Sequence, residues 1–228
     1  MPTNPAPKQV KSKERVQKHG EVFTPQWVVN DMLNLLPDEV WQPHKTFLEP
    51  ACGEGAFLVE IYRRKLQQIS TKEQNEWEWQ SAIATSSLYG IELLEDNAKQ
   101  CRDNLIQLFE EFYNKSYPYT QDRELIQTVQ FLINRNIIRG NALTYRKCTV
   151  VCGNECSTCP LIIFSEWTPF SEAQFIRKDY TYQGVINADS HKKKYEGSLF
   201  EDLFSNEDYG FEKEYKPVYF KKIQYVEN

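Results

Sequence analysis

Between Thr24 and Pro37 apolar residues recur every three to four positions, at Val28, Val29, Met32, Leu33, Leu35 and Leu36. That is the period of one helix face. Thr24 suits an N-cap and Pro25 the first helical position, so the spacing predicts a helix over 24–36. A short, partly apolar run, Lys45-Thr46-Phe47-Leu48-Glu49, then enters Pro50-Ala51-Cys52-Gly53-Glu54-Gly55, after which Phe57, Leu58, Ile61, Tyr62 and Leu66 return to helical spacing. The pattern reads strand, glycine turn, helix. Polar residues 70–80, with Trp77 and Trp79 among them, precede a second strand, Ser87-Leu88-Tyr89-Gly90-Ile91-Glu92-Leu93. Behind it Ala98, Cys101, Leu105, Leu108, Phe109 and Phe112 mark one face of a long helix. A helix over 122–134 feeds a third strand, Asn136-Ile137-Ile138-Arg139, which ends in Gly140-Asn141-Ala142-Leu143. Such alternation predicts an α/β fold, a parallel sheet with helices on both faces.

After residue 145 the rhythm breaks. A loop holding Cys148, Cys152, Cys156 and Cys159 leads to Leu161-Ile162-Ile163-Phe164, a turn near Thr168-Pro169-Phe170-Ser171 and an alternating run over 175–180, which together predict a β-hairpin. The segment from 197 mixes aromatic and acidic residues and signals no chemistry. At the other end, Lys8, Lys11, Lys13, Arg15 and Lys18 face the single acid Glu14 within residues 1–19. A flexible basic arm is expected there, either a solvated tail or an arm touching phosphates. The expected organisation is arm 1–19, core 20–145, cysteine loop and hairpin 146–196, and acidic-aromatic tail 197–228.

Composition narrows the class. The 228 residues suffice for one sizeable domain, and 40% hydrophobic content with 9 glycines excludes collagen-like and wholly disordered chains. No run approaches the ~20 apolar residues of a membrane span, and the first residues lack the apolar centre of a signal peptide, so a cytoplasmic location is expected. Lys and Arg number 27 against 32 Asp and Glu, a net charge of −5. Any nucleic-acid role therefore rests on local patches or a partner.

Candidate chemistry gathers at the ends of the three strands, where ligands bind in open parallel sheets. After the first, Glu49 precedes a turn whose Gly53 and Gly55 let the main chain approach a ligand closely. After the second, Glu92 offers two acceptor oxygens where such folds hold a ribose diol. After the third, Asn141 offers an amide donor and acceptor able to read an adenine edge. Together they describe a pocket for an adenosine cofactor.

The strings that carry these residues resemble a known family. Gly20-Glu21-Val22-Phe23-Thr24-Pro25, Leu48-Glu49-Pro50-Ala51-Cys52-Gly53-Glu54-Gly55-Ala56-Phe57-Leu58, Tyr89-Gly90-Ile91-Glu92-Leu93 and Gly140-Asn141-Ala142-Leu143 are similar to the cofactor motifs of N6-adenine DNA methyltransferases of restriction-modification systems, in the branch whose cofactor motifs precede the catalytic one. The resemblance covers about residues 19–145. It implies a Rossmann-like class I methyltransferase sheet, with the cysteine loop and hairpin appended, and S-adenosylmethionine as cofactor. It also implies that Thr24 and Glu49 face the methionine part, Gly53 and Gly55 line the cofactor, Glu92 takes the ribose hydroxyls and Asn141 the adenine amino group. The family more often has Asp at the last position. The stretch from Gly55 to Glu92 is longer than usual, which suggests a surface insertion around Trp77 and Trp79.

One family feature is missing. A (Asn/Asp/Ser)-Pro-Pro-(Tyr/Phe/Trp) motif accepts the amino hydrogens of a flipped adenine and stacks on the base, and no Pro-Pro occurs in this chain. The nearest string, Trp167-Thr168-Pro169-Phe170, lacks the first acid or amide and the first proline, and is read as part of the hairpin turn, with a degenerate catalytic role as the alternative. Methyl transfer to DNA is then expected to need a partner polypeptide or a longer parent chain, which would also bring target recognition. The alternatives are a catalytically silent subunit or decoy of a restriction system, and methylation of RNA or protein. Cys148, Cys152, Cys156 and Cys159 either close a tetrahedral, structural zinc site or remain unligated thiols. Cys52 and Cys101 read as core residues, and His19, His44 and His191 carry no chemical signal.

Overall fold

The computed structural model describes residues 12–19, 21–22, 24–120, 122–148, 158–192 and 210–226. Four strands form the first sheet: β1 (Phe47–Glu49), β2 (Leu88–Glu92), β3 (Ile137–Asn141) and β4 (Arg146–Lys147), in that spatial order. β1, β2 and β3 are parallel, with Glu49 beside Gly90 and Glu92 beside Arg139, and β4 returns antiparallel to β3. Two crossovers connect the parallel strands: α3 (Ala56–Gln68) with α4 (Gln74–Ser86), and α5 (Glu95–Ser116) with α6 (Arg123–Asn136). All five residues of β2 are buried, which is why that strand reads as a continuous run without alternation.

The faces of this sheet are dressed unequally. Leu88 and Ile137 point into the large core with Leu58, Leu66, Phe109 and Val129 of the crossover helices. Tyr89, Ile91 and Ile138 point the other way and meet Ile162, Phe164 and Tyr182. Helices lie on both faces, as expected, but the four crossover helices share one of them and only α7 (Tyr182–Lys192) meets the other. Right-handed connections that step repeatedly in one direction, β1 to β2 to β3, lay all their helices on one face. The second face is covered instead by chain beyond residue 160, including the start of α7 (Tyr182–Lys192).

That later chain builds a second, antiparallel sheet from β5 (Ile163–Phe170), β6 (Gln174–Thr181) and β7 (Phe211–Glu214), with β8 (Val218–Tyr219) also pairing with β6. β5 runs through Phe170, so Thr168 and Pro169 lie in the strand, and the turn falls at Ser171–Ala173. A 3-10 helix, Phe220–Tyr225, follows, and its buried Phe220 and Ile223 join the main core. The part of the expected tail over 210–226 is thus packed structure, and residues 197–209 lie outside the described residues.

Three further expectations change. Trp77 is fully buried and lies against Phe109, Tyr113 and Tyr117, while Trp79 meets Phe175 and Phe220, so the suspected surface insertion is the core helix α4. Its sequence looks polar because Glu78, Ser81 and Thr85 are buried with their hydrogen bonds made locally or to partners far along the chain. In the predicted helix 24–36, α2 (Gln26–Leu33) buries only Val29 and Leu33, whereas Met32 and Leu35 are exposed. Of the flexible arm, residues 13–19 form α1 (Lys13–His19), tied down through Arg15, and residues 1–11 lie outside the described residues. Among the described residues no helix is long and apolar enough to cross a membrane.

Candidate cofactor site

The C-terminal end of β1 opens into a pocket of about 320 Å³. Thr24, Glu49, Gly53 and Gly55 line it, with Val22 and Asn104 at its walls. The turn is held in place by its backbone: Cys52 N–H donates to the Ile91 carbonyl (3.0 Å) and Gly55 N–H to the Cys52 carbonyl (2.7 Å). Gly53 and Gly55 take φ of +54° and +86°, where L side chains rarely sit, and a Cβ on Gly55 would lie 2.6 Å from Cys101 Sγ. Glycine is therefore required by both the backbone and the close approach of α5. Asn104 of α5 donates to the Glu54 carbonyl (3.0 Å) and braces the turn from outside.

Glu92 sits against this turn. Its Oε2 accepts from Gly53 N–H and its Oε1 from Leu94 N–H, both at 2.9 Å. Glu92 is buried and stands behind the turn, and is not among the residues that line the pocket. Glu49 is in the opposite condition: its Oε2 is buried without a hydrogen-bond partner. Burial, and then the charge of Glu92, push its carboxyl up to about 7. An orphaned acceptor in a pocket fits a ligand that brings a cationic donor.

Asn141 is not brought into the pocket. Its Oδ1 accepts from Leu143 N–H (2.9 Å) and Thr144 N–H (3.4 Å), capping the turn that follows β3. An amide here serves the local backbone, which is a common use of Asn after a strand.

Cys52 and Cys101 are buried, and a hydrogen bond between them, with burial, holds the Cys52 thiol well above its ordinary range. They act as packing beneath the turn. Trp167, Thr168 and Pro169 line a separate cavity of about 150 Å³ with Thr46 and Ser87, residues that precede β1 and β2. That cavity is at the opposite end of the strands from Glu49, so Trp167-Thr168-Pro169-Phe170 does not face the candidate cofactor pocket.

Of the four loop cysteines, Cys152 and Cys156 lie outside the described residues. Cys148 and Cys159 are buried, and the antiparallel pairing of Arg146 with Leu161 and of Lys147 N–H with the Pro160 carbonyl (2.9 Å) sets them opposite each other. Among the described residues no group of three or more His, Cys, Asp or Glu is arranged to hold a metal.

Sequence reasoning missed the contacts made beside the pocket wall at Val22. Arg15 of α1 makes a two-pronged pair with Glu21, Nε to Oε2 and Nη2 to Oε1, both 2.6 Å, and reaches Asp96 Oδ2 at 2.8 Å. Asn97 Nδ2 donates to the same Glu21 Oε1 at 2.6 Å. Partners 81 residues apart leave no local signal.

Comparison with known proteins bears on what such a fold and pocket serve. A family model described as MmeI, DNA-methyltransferase domain, matches residues 30–227, and the chain belongs to this family of restriction-modification methyltransferases. The match begins after Val22 and Thr24, so one wall of the pocket precedes it. No curated protein and no solved structure matches the chain.

Proposed function

We propose that this chain is the S-adenosylmethionine-binding part of a DNA adenine-N6 methyltransferase. The observation that carries the reading is Glu49, an unpartnered carboxylate oxygen inside the pocket beneath the glycine turn, suited to the ammonium of the cofactor's methionine part. Gly53 and Gly55 would pass the cofactor close to the main chain, Glu92 would take the ribose hydroxyls and Thr24 would contact the methionine part. When bound, the cofactor supplies an electrophilic methyl group. The role of this chain is to orient it and to keep water from one side. Asn141, whose Oδ1 also caps the turn after β3, would take the adenine amino group. Calorimetry tests the reading: S-adenosylmethionine is expected to bind in about the micromolar range and to be largely lost in Glu92→Ala. A folded wild type that binds nothing at about millimolar cofactor rejects it.

Acceptor chemistry is assigned to a partner polypeptide or a further segment, which would supply the residues that hold a flipped adenine and much of the DNA contact. The position of Trp167-Thr168-Pro169-Phe170 away from the pocket favours this, and it equally favours a second reading, a silent cofactor-fold subunit. Tritiated methyl transfer to unmethylated DNA, with and without proteins encoded beside it, separates the two. Incorporation that appears with a partner and vanishes in Glu92→Ala supports the enzyme, and none under any pairing supports the silent subunit.

For the cysteine loop we propose a structural zinc ion held by Cys148, Cys152, Cys156 and Cys159. Support comes from the opposed, buried pair Cys148 and Cys159. Four thiolates leave no open position, so the ion would take no part in methyl transfer.

A further inference from the structure

Residues 21, 22, 24 and 25 belong to no helix or strand, yet Val22 and Thr24 form a wall of the pocket. A wall without ladder hydrogen bonds needs another tether to keep one position. Glu21, adjacent to Val22, supplies it. Its side chain is only 7% exposed, gripped by the Arg15 guanidinium on one side and by Asn97 on the other. The same guanidinium holds Asp96 through two bonds of 2.8 and 3.1 Å, and Asp96 and Asn97 lie in the first turn of α5. Just ahead of that turn, Leu94 N–H bonds Glu92, whose other oxygen bonds Gly53. One chain of contacts thus runs from the wall at Val22 through Glu21, Arg15, α5 and Glu92 back to the glycine turn.

Resting on the S-adenosylmethionine reading, we propose that Arg15 is a positioning residue for the cofactor: it clamps the wall at Val22 and Thr24 to the start of α5 and so keeps the pocket in its binding form. Arg15 is then used inward, on carboxylates of its own chain. Paired two-pronged bonds make arginine suited to this where lysine is not. The Arg15 guanidinium is held above its ordinary value chiefly by its bonds to Glu21 and Asp96, as a committed ion pair requires. Without the clamp the wall samples other positions, and apparent affinity falls by the fraction of molecules still competent.

The test is cofactor binding and dissociation by the whole chain, wild type against Arg15→Ala, Arg15→Lys and Asp96→Ala, with far-UV circular dichroism and the unfolding midpoint recorded for each. If about a tenth of unclamped molecules keep the wall in place, Arg15→Ala binds S-adenosylmethionine about tenfold more weakly, through faster dissociation, while the core's unfolding is unchanged. Arg15→Lys is expected to recover part of the loss, and Asp96→Ala, which leaves the Arg15–Glu21 pair, to lose about threefold. A purely structural anchor would move the midpoint and leave affinity alone; an Arg15→Ala affinity within about twofold of wild type overturns the proposal. Should Arg15→Ala fail to fold, Asp96→Ala decides by the same criterion, since Asp96 is half exposed. A folded wild type that binds no cofactor overturns the underlying reading, whereas binding that ignores both substitutions overturns the clamp alone.

Discussion

Asp179 and Glu49 are both largely shielded carboxylates, one in the antiparallel sheet and one at the end of the parallel sheet. Around Asp179 every demand is met: Arg177 gives two bonds of 2.8 Å, Arg135 one of 2.8 Å, Ser165 one of 2.7 Å and Tyr215 one of 3.2 Å. Burial pushes this carboxyl up, but the bonds from Arg177 and Ser165 and the two guanidinium charges outweigh it and hold it below the usual range. Glu49 has no such company and is pushed up to about 7. A satisfied buried acid reads as scaffold, and an unsatisfied one facing a pocket reads as a place kept for a ligand. The two sheets divide the labour accordingly, since the second closes one face of the first and packs against α4 and α6 without adding a residue to the pocket lining.

The largest effect should come from breaking the satisfied side. Asp179→Ala leaves two guanidinium groups facing each other in a buried site, and removing one partner of such a pair costs about 3–5 kcal/mol. Urea unfolding should show that loss, while cofactor affinity of the folded fraction stays within about twofold because the pocket draws on the other sheet. The pH dependence has a definite sign. A carboxyl depressed in the folded state contributes stability above its unfolded value, and the contribution disappears as pH falls through the folded one. Asp179→Ala should therefore flatten the acid limb of stability. Equal loss of cofactor binding would mean that the two sheets are not independent.

What local pattern carries, the sequence revealed, and what long-range pairing carries, it hid. Strands predicted at 45–49, 87–93 and 136–139 are observed at Phe47–Glu49, Leu88–Glu92 and Ile137–Asn141, because short apolar runs ending in small or polar turn residues are local signals. Glu49, Gly53 and Gly55 follow from the same turn and meet in one pocket. Lys65 was invisible: inside an amphipathic helix it is wholly buried, bonding the carbonyls of Pro43 and Lys45 and the Ser87 hydroxyl, and so joins the N-terminal ends of β1 and β2. Arg15 and Lys221 look like surface charges until their partners, distant in sequence, are known. At Asn141 the position after a strand was clear and the cap it makes on the following turn was not.

Glu49→Gln sharpens the comparison from the unsatisfied side, with a smaller stability effect of opposite sign. A carboxyl raised to about 7 when folded makes the wild type lose stability as pH climbs from the unfolded value, near 4.5, through 7. By pH 8 the deficit approaches about 3 kcal/mol, since each pH unit separating the folded and unfolded values is worth about 1.4 kcal/mol, and Gln should abolish this slope. Affinity should move the other way. A cationic ligand favours ionised Glu49, so wild-type affinity for S-adenosylmethionine rises with pH up to about 7, with proton release measurable in buffers of different ionisation enthalpy. Glu49→Gln should bind about tenfold more weakly and show no such rise. A variant that keeps both wild-type affinity and its pH dependence would remove Glu49 from the site.

The smallest effect on the rest of the molecule is expected from the cysteine loop, which connects β4 to β5. Cys148 N–H bonds the Arg139 carbonyl, and Arg146 reaches the Cys159 carbonyl, so backbone and side-chain contacts already pin both ends of the loop. Replacing Cys148 and Cys159 together by serine should reduce bound zinc from about one equivalent to below about a tenth, measured by mass spectrometry on protein purified without added metal. The unfolding midpoint should shift by no more than about 1 kcal/mol in stability, because the parallel strands and their helices keep their contacts. Cofactor affinity should hold within about twofold, since Glu49 and the glycine turn stand at β1, with β2 and β3 between them and this loop's attachment at β4, and Glu92 on β2 is still separated from β4 by β3. Less than about a tenth of an equivalent of zinc in fresh wild-type protein would leave Cys148 and Cys159 as buried thiols. A large loss of cofactor affinity in the double variant would instead tie the loop to the pocket and erase the independence on which the contrast between the two sheets depends.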